Sequence, residues 1–243
     1  MSLLDMFLTI SISKIIIRLY EVLTDNIYGS FIREDRYRLI LGGIMNTIYI
    51  TAIAAFIGVV IGLIMAIAKI AGNKPIKKFA EWYISVIRGT PTVVQLIVIY
   101  FIVLGSVRGL PKLVIASIAF GINSGAYVAE IIRAGIEAVD KGQMEAGRSL
   151  GLSYGKTMRF IIIPQAIKNI LPALGNEFIV LLKETAIVGY IGLQDLTRAA
   201  TAIQTITYNP TMPMFTVAYV YFLMTMGLSF LLSKYERRLK KSD

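Results

Sequence analysis

The chain has 243 residues, 56% of them hydrophobic and 16% charged, which makes it more apolar than an average soluble domain, where charged residues are about 25%. It contains no Cys and no His, which removes thiol nucleophiles, His-based acid–base pairs, disulfides and ordinary zinc sites. Its net charge of +10 gathers in short segments between apolar runs without interleaved aromatics, a pattern of membrane topology rather than of a nucleic-acid groove.

In chain order, residues 1–38 come first. The stretch MSLLDMFLTISISKIIIRLYEVL carries Lys14 and Arg18 inside its apolar run and lacks a small-residue cleavage site, so it reads as an interfacial amphipathic segment rather than a signal peptide or a sixth span. Apolar runs long enough to cross about 30 Å of hydrocarbon follow at roughly 40–68, 81–105, 112–134, 167–190 and 213–232. The prediction is an all-α polytopic membrane protein with five transmembrane helices, forming one domain over 39–243. Lys74, Lys77 and Lys78 follow the first run, Lys141, Arg148, Lys156 and Arg159 the third, and Lys234, Arg237, Arg238, Lys240 and Lys241 form the tail. The positive-inside bias places these connections and the C-terminus in the cytoplasm and the N-terminus outside, although five basic residues within 1–38 run against the rule.

Polar residues inside a span are expensive and usually face a pathway or a partner. Gln95 in the second span, Asn123 in the third and Glu177 in the fourth fall at similar depth. Asn123, Tyr127 and Glu130 stand at i, i+4 and i+7, on one helical face. Glu130 has Arg133 three residues on, which also fits a neutralised structural pair. Glu177 has only Ala173, Leu174, Val180 and Leu181 three and four residues away, so it must meet a cation from elsewhere, be protonated, or reach water. Gly89-Thr90-Pro91 predicts a helix break with Thr90 as N-cap and Pro91 as the first residue of a new segment. Such a start could receive a substrate carboxylate, or be a plain kink.

The connection from about 136 to 166 is long and turn-rich. Gln143 to Leu150 fits two helical turns stopped by Gly151, and Ser153 fits the cap of a second helix running through Phe160 until Pro164 interrupts it. Gly155-Lys156-Thr157 has the ending of a phosphate-binding P-loop, but Leu150 stands where the first Gly is required and no strand precedes it. A membrane-bound NTPase is thereby disfavoured, and an ion-coupled secondary transporter, the other rival, would normally be built from internal repeats that the chain does not show.

The run Glu145-Ala146-Gly147, then Gly151, then nine residues, then Ile161-Ile162-Ile163-Pro164, resembles the EAA-x-x-x-G-(nine)-I-x-L-P signature of membrane subunits of ATP-binding cassette (ABC) importers, with Gly147 for Ala and Ile163 for Leu. Arg88-Gly89-Thr90-Pro91 with Val94-Gln95-Leu96, Ala126-Tyr127 through Ala129-Glu130, Lys141-Gly142-Gln143, Pro164-Gln165-Ala166 and Leu182-Lys183 narrow the resemblance to the polar amino acid uptake subfamily, over about 40–235. The resemblance implies a type I importer permease fold, not an enzyme, in the bacterial cytoplasmic membrane. It implies that Glu145, Ala146, Gly147 and Gly151, with Arg148 as an electrostatic companion or a positive-inside marker, contact a separate ATPase that binds the ATP and magnesium. It also implies two such ATPase subunits, a second permease subunit that is a copy or a paralogue, and an extracytoplasmic solute-binding protein. Cargo contact is expected at Glu177, Asn123, Gln95, Thr90, Tyr127 and Glu130, with Glu177 favouring arginine, lysine or histidine.

Overall fold

The computed structural model describes residues 24–107 and 109–239, together with Arg18, Tyr20 and Glu21. The interfacial segment expected over 1–38 therefore lies mostly outside the described residues. Among the described residues every regular element is helical.

A π turn at Tyr28–Ile32 and a 3-10 turn at Arg33–Asp35 lead into α1, Tyr37–Ala71, which carries no charged residue between Arg38 and Lys69. Gly72 ends it, and Asn73 caps α2, Lys74–Arg88, accepting from Ile76 N at 3.2 Å. After Gly89-Thr90-Pro91 the chain resumes as α3, Thr92–Val98, extended by a π turn through Val103. Helix α4, Lys112–Glu137, forms the centre, with about two thirds of its apolar stretch buried within the chain. The loop helices α5, Lys141–Ser149, and α6, Tyr154–Thr157, follow. A π turn at Met158–Ile162 joins α6 to α7, Ile163–Glu184, which ends in a 3-10 turn at Thr185–Ile191. Helices α8, Leu196–Thr207, and α9, Thr211–Leu239, complete the chain.

The α1–α4 contact is built on small residues. Gly58-x-x-x-Gly62 of α1 lies on Ser124 and Val128, while Gly121-x-x-x-Gly125 of α4 lies on Ile57 and Ile61. A Cβ added at Gly125 would fall 2.7 Å from Ile61 Cγ2, so the two backbones come closer than any larger residue would allow. Around this seam Ile50, Leu96, Phe120 and Leu181 form the principal core.

Among the described residues three helices are long and apolar enough to cross a membrane, α1, α4 and α9, and a fourth span results if the pair α2/α3 is counted as one. Two of the five expected spans differ from a straight apolar helix, the second at the break its sequence predicts. The second span is no straight helix, since α2 and α3 are bent by 107° at the glycine–proline break. The fourth ends at Glu184 rather than near 190, and α7, with 22 residues and about 33 Å of length, carries Lys168, Asn169, Asn176 and Glu177, which breaks its apolar continuity.

Two further differences have local causes. Pro164 does not interrupt the loop helix: it sits in the first turn of α7 behind the π turn, where its missing N–H leaves no helical bond unmade. The connection expected between the last two spans contains α8, whose Leu196, Ala199, Ala200 and Ile203, at i, i+3, i+4 and i+7, are buried against Ile40 and Val217. Asp195 caps it, accepting from Thr197 N at 3.0 Å and Arg198 N at 2.9 Å.

Candidate functional site: a loop helix and a polar seam

Helix α5 begins at Asp140, whose Oδ1 accepts from Gly142 N at 2.6 Å, and ends where Gly151 takes the left-handed conformation, φ +81. Leu152 N donates to Gly147 O at 3.1 Å, and Arg148 Nη1 donates to Leu152 O at 3.0 Å, closing the turn. Glu145, Ala146, Arg148 and Gly151 are exposed, as are the apolar side chains of Leu150, 82% accessible, and Tyr154.

Gly147 is the exception and corrects its expected place on the outward surface. It is buried, and a Cβ there would fall 2.5 Å from Thr157 Cγ2 and 3.0 Å from Ile161 Cδ1. Its lack of a side chain seats α5 on α6 and the π turn, so the exposed residues of α5 are presented from a packed base. Gly155-Lys156-Thr157 lies in α6, with Ser153 accepting from Lys156 N and Thr157 donating to Ser153 O at 3.1 Å, so its groups serve helix capping rather than a phosphate cradle.

Within the bundle the expected cargo residues divide into two groups. Gln95, buried, donates through Nε2 to Ile87 O at 2.7 Å, Thr90 O at 3.0 Å and Thr90 Oγ1 at 2.8 Å, and accepts from Asn123 Nδ2 at 2.9 Å. The side chain of Gln95 thus covers carbonyls freed by the break. Thr90 is not the N-cap that the sequence predicts: its hydroxyl donates back to Val86 O at 2.9 Å, Pro91 occupies the cap position, and α3 starts at Thr92. Arg88 lies over the Tyr127 ring, 5.4 Å from its centroid.

Glu130, on the same face of α4, is held by Lys69 Nζ at 2.5 Å and Arg133 Nη2 at 2.9 Å, with Arg88 Nη1 at 3.8 Å. Arg133 also pairs with Glu137. Expected as a cargo contact, Glu130 is instead committed to three cations of its own chain, because the α1 and α2 ends converge on that face; Arg133 alone was visible from spacing.

Glu177 is placed differently. Its Oε1 accepts from the buried Ser124 Oγ at 3.0 Å, and among the described residues no cation lies within ion-pair distance of it. The sequence reading missed Ser124, which a hydroxyl next to Asn123 on a small-residue face would have flagged, and Glu184, half-buried seven residues beyond Glu177 on the same face of α7. A hydroxyl orients a carboxylate but leaves its charge uncompensated.

An all-α bundle whose helices include some long and apolar enough to cross a membrane, with one short helix presented on a packed loop, defines a polytopic membrane protein. Residues 58–241 match the family described as binding-protein-dependent transport system inner membrane component. The chain is 43% identical over 212 residues to the arginine transport system permease protein ArtQ of Bacillus subtilis, covering 84% of this chain and 94% of that one. It is 38% identical over 204 residues to the glutamine transport system permease protein GlnP of Escherichia coli, covering 83% and 93%. A solved amino acid ABC transporter with histidines superposes with a TM-score of 0.80 at 53% identity, covering 86% of this chain and 98% of that one. An inward-facing MetNI methionine transporter, at 20% identity and a TM-score of 0.71, shares the fold. The chain belongs to the family of inner-membrane components of binding-protein-dependent transport systems, as the permease subunit of an amino acid ABC importer with the type I permease fold. It is a transport component, not an enzyme, and the ion-coupled carrier alternative finds no support.

Proposed function

We propose that this subunit forms half of a pathway for polar, basic amino acids and receives its driving force through α5 from a separate ATPase. The observation that carries the coupling half is the exposed Glu145, Ala146, Arg148 and Gly151 on a helix whose base, Gly147, is locked onto Thr157 and Ile161. A rigidly seated helix transmits displacement to the bundle, whereas a loose loop would absorb it. In this reading two ATPase subunits hold the ATP and magnesium, a second permease subunit completes the pathway, and a solute-binding protein delivers cargo from outside. The loop and C-terminus are cytoplasmic and the N-terminus external.

The observation that favours basic cargo is Glu177, a carboxylate beside a hydroxyl with no cation within ion-pair distance among the described residues, with Glu184 two turns away on the same face. Asn123, Gln95, Thr90 and Tyr127, partnered among themselves and with the α2/α3 break, hold the fold around the pathway in this reading rather than contact the cargo. The relatives' names divide between arginine and glutamine, so the test is selectivity. Uptake of labelled arginine and glutamine is compared in proteoliposomes for the native complex and Glu177→Gln. A preference for arginine that falls by about tenfold, or 1.4 kcal/mol, supports the reading, and an unchanged preference sinks it. Crosslinking from a cysteine at Ala146 tests coupling: adducts must form with the ATPase subunit.

A further inference from the structure

Where α1 and α9 begin, at the end of the bundle away from Glu130, the chain forms a half-open polar cavity of about 250 Å³. Its walls come from two distant stretches, the turns before α1 and the C-terminal end of α8, joined by Asn209 Nδ2 donating to Asn26 Oδ1 at 2.6 Å. The lining includes Asp25, Ser30, Arg33, Arg36, Thr207 and Asn209.

Arg36 is nine-tenths buried. Its Nη1 donates to Gly29 O at 2.6 Å and its Nη2 to Glu34 Oε2 at 2.9 Å, while among the described residues no acceptor reaches Nε. A guanidinium removed from water normally has its donors matched, so this one is under-served. Glu34 also lies 3.9 Å from Arg33, but its side chain is 64% exposed, so its hold on both cations is readily exchanged. Glu34, Asp35 and Tyr208, at φ 57, 54 and 53, are the non-glycine residues with positive φ among those described, and they flank the two walls. Backbone held in this region persists where the surroundings fix it, and such residues cluster at binding sites.

The charges select among ligands. A lipid phosphate would meet the Asp25 carboxylate, and a metal ion would meet two guanidiniums. A molecule with a carboxylate and an ammonium on one carbon answers both signs at once. We propose that this cavity binds the α-carboxylate and α-ammonium of a free amino acid, the first on Arg33 and Arg36 and the second on Asp25, as a site separate from Glu177. It reads the group common to all amino acids and leaves the side chain unread. The proposal rests on the subunit serving an amino acid importer, but not on Glu177 choosing basic cargo.

The chain has no cysteine, so Ile206→Cys places a single thiol of this subunit on the cavity wall. In the full transporter complex in nanodiscs, the rate at which a small methanethiosulfonate labels this subunit is measured with and without L-arginine, L-glutamine, agmatine or N-acetyl-arginine, and repeated with Thr207→Cys. L-arginine and L-glutamine, at ten times their Kd, are expected to slow labelling about tenfold. Agmatine, which lacks the carboxylate, and N-acetyl-arginine, which lacks the ammonium, are expected to leave it unchanged. Protection must disappear in Asp25→Asn and Arg33→Gln and persist in Glu177→Gln. Equal protection by agmatine, absence of protection by either amino acid at both cysteine positions, or loss of protection in Glu177→Gln overturns the proposal. Failure here leaves the arginine preference at Glu177 to be judged by its own uptake assay.

Discussion

Asn123 and Ser124 are neighbours in the chain, about 100° apart around α4, and the two faces they mark behave differently. On the Asn123 face every polar group described finds its partner in the same chain: Gln95 with Asn123 and the α2/α3 break, Arg88 with Tyr127, and Glu130 with Lys69 and Arg133. On the Ser124 face a carboxylate receives one hydroxyl and, among the described residues, no countercharge. A polar group inside a bundle is thus assigned by whether its own chain completes it: completed groups hold the fold, and an incomplete one is open to something that arrives.

This contrast can be broken by mutation. Glu130→Gln should have the largest effect, about 3 kcal/mol of stability, because three cations would be left facing one another. Thermal unfolding in detergent checks it, and a silent mutation would place Glu130 outside the structural group. Gln95→Leu should follow, at about 2 kcal/mol, by leaving the Ile87 and Thr90 carbonyls and the Asn123 amide unmatched. Glu177→Gln should reverse the pattern, with melting unchanged and the tenfold loss appearing in arginine preference. Ser124→Ala is the finest probe: about 1 kcal/mol or less of stability, with arginine uptake reduced less than in Glu177→Gln. Destabilisation by Glu177→Gln greater than by Gln95→Leu would erase the distinction between the faces.

The loop was the most legible region, since its signals are local. Gly151 takes the left-handed turn that a helix stop needs, and Ser153 caps the next helix as its residue type suggests. Gly147 was misjudged because its importance lies in Thr157 and Ile161, contacts fixed by how two short helices fold on each other. In the bundle, the face shared by Asn123, Tyr127 and Glu130 was readable from helical spacing. Lys69 as partner of Glu130, and Ser124 as partner of Glu177, come from helices 61 and 53 residues distant and left no local mark. Helix α8 did leave one, the spacing of Leu196, Ala199, Ala200 and Ile203, hidden by the modest apolarity of two alanines.

By itself the sequence determined that the chain lives in a bilayer, that it lacks a nucleotide cradle of the P-loop kind, and that a short polar helix sits between its third and fourth apolar runs. Hydropathy, spacing and turn chemistry act over a few residues, so each can be read along the line of the chain. Which buried charge is neutralised and which is left waiting was decided only by the tertiary structure, because an ion pair depends on distance in space, and helices joined by long connections bring together groups that spacing keeps apart.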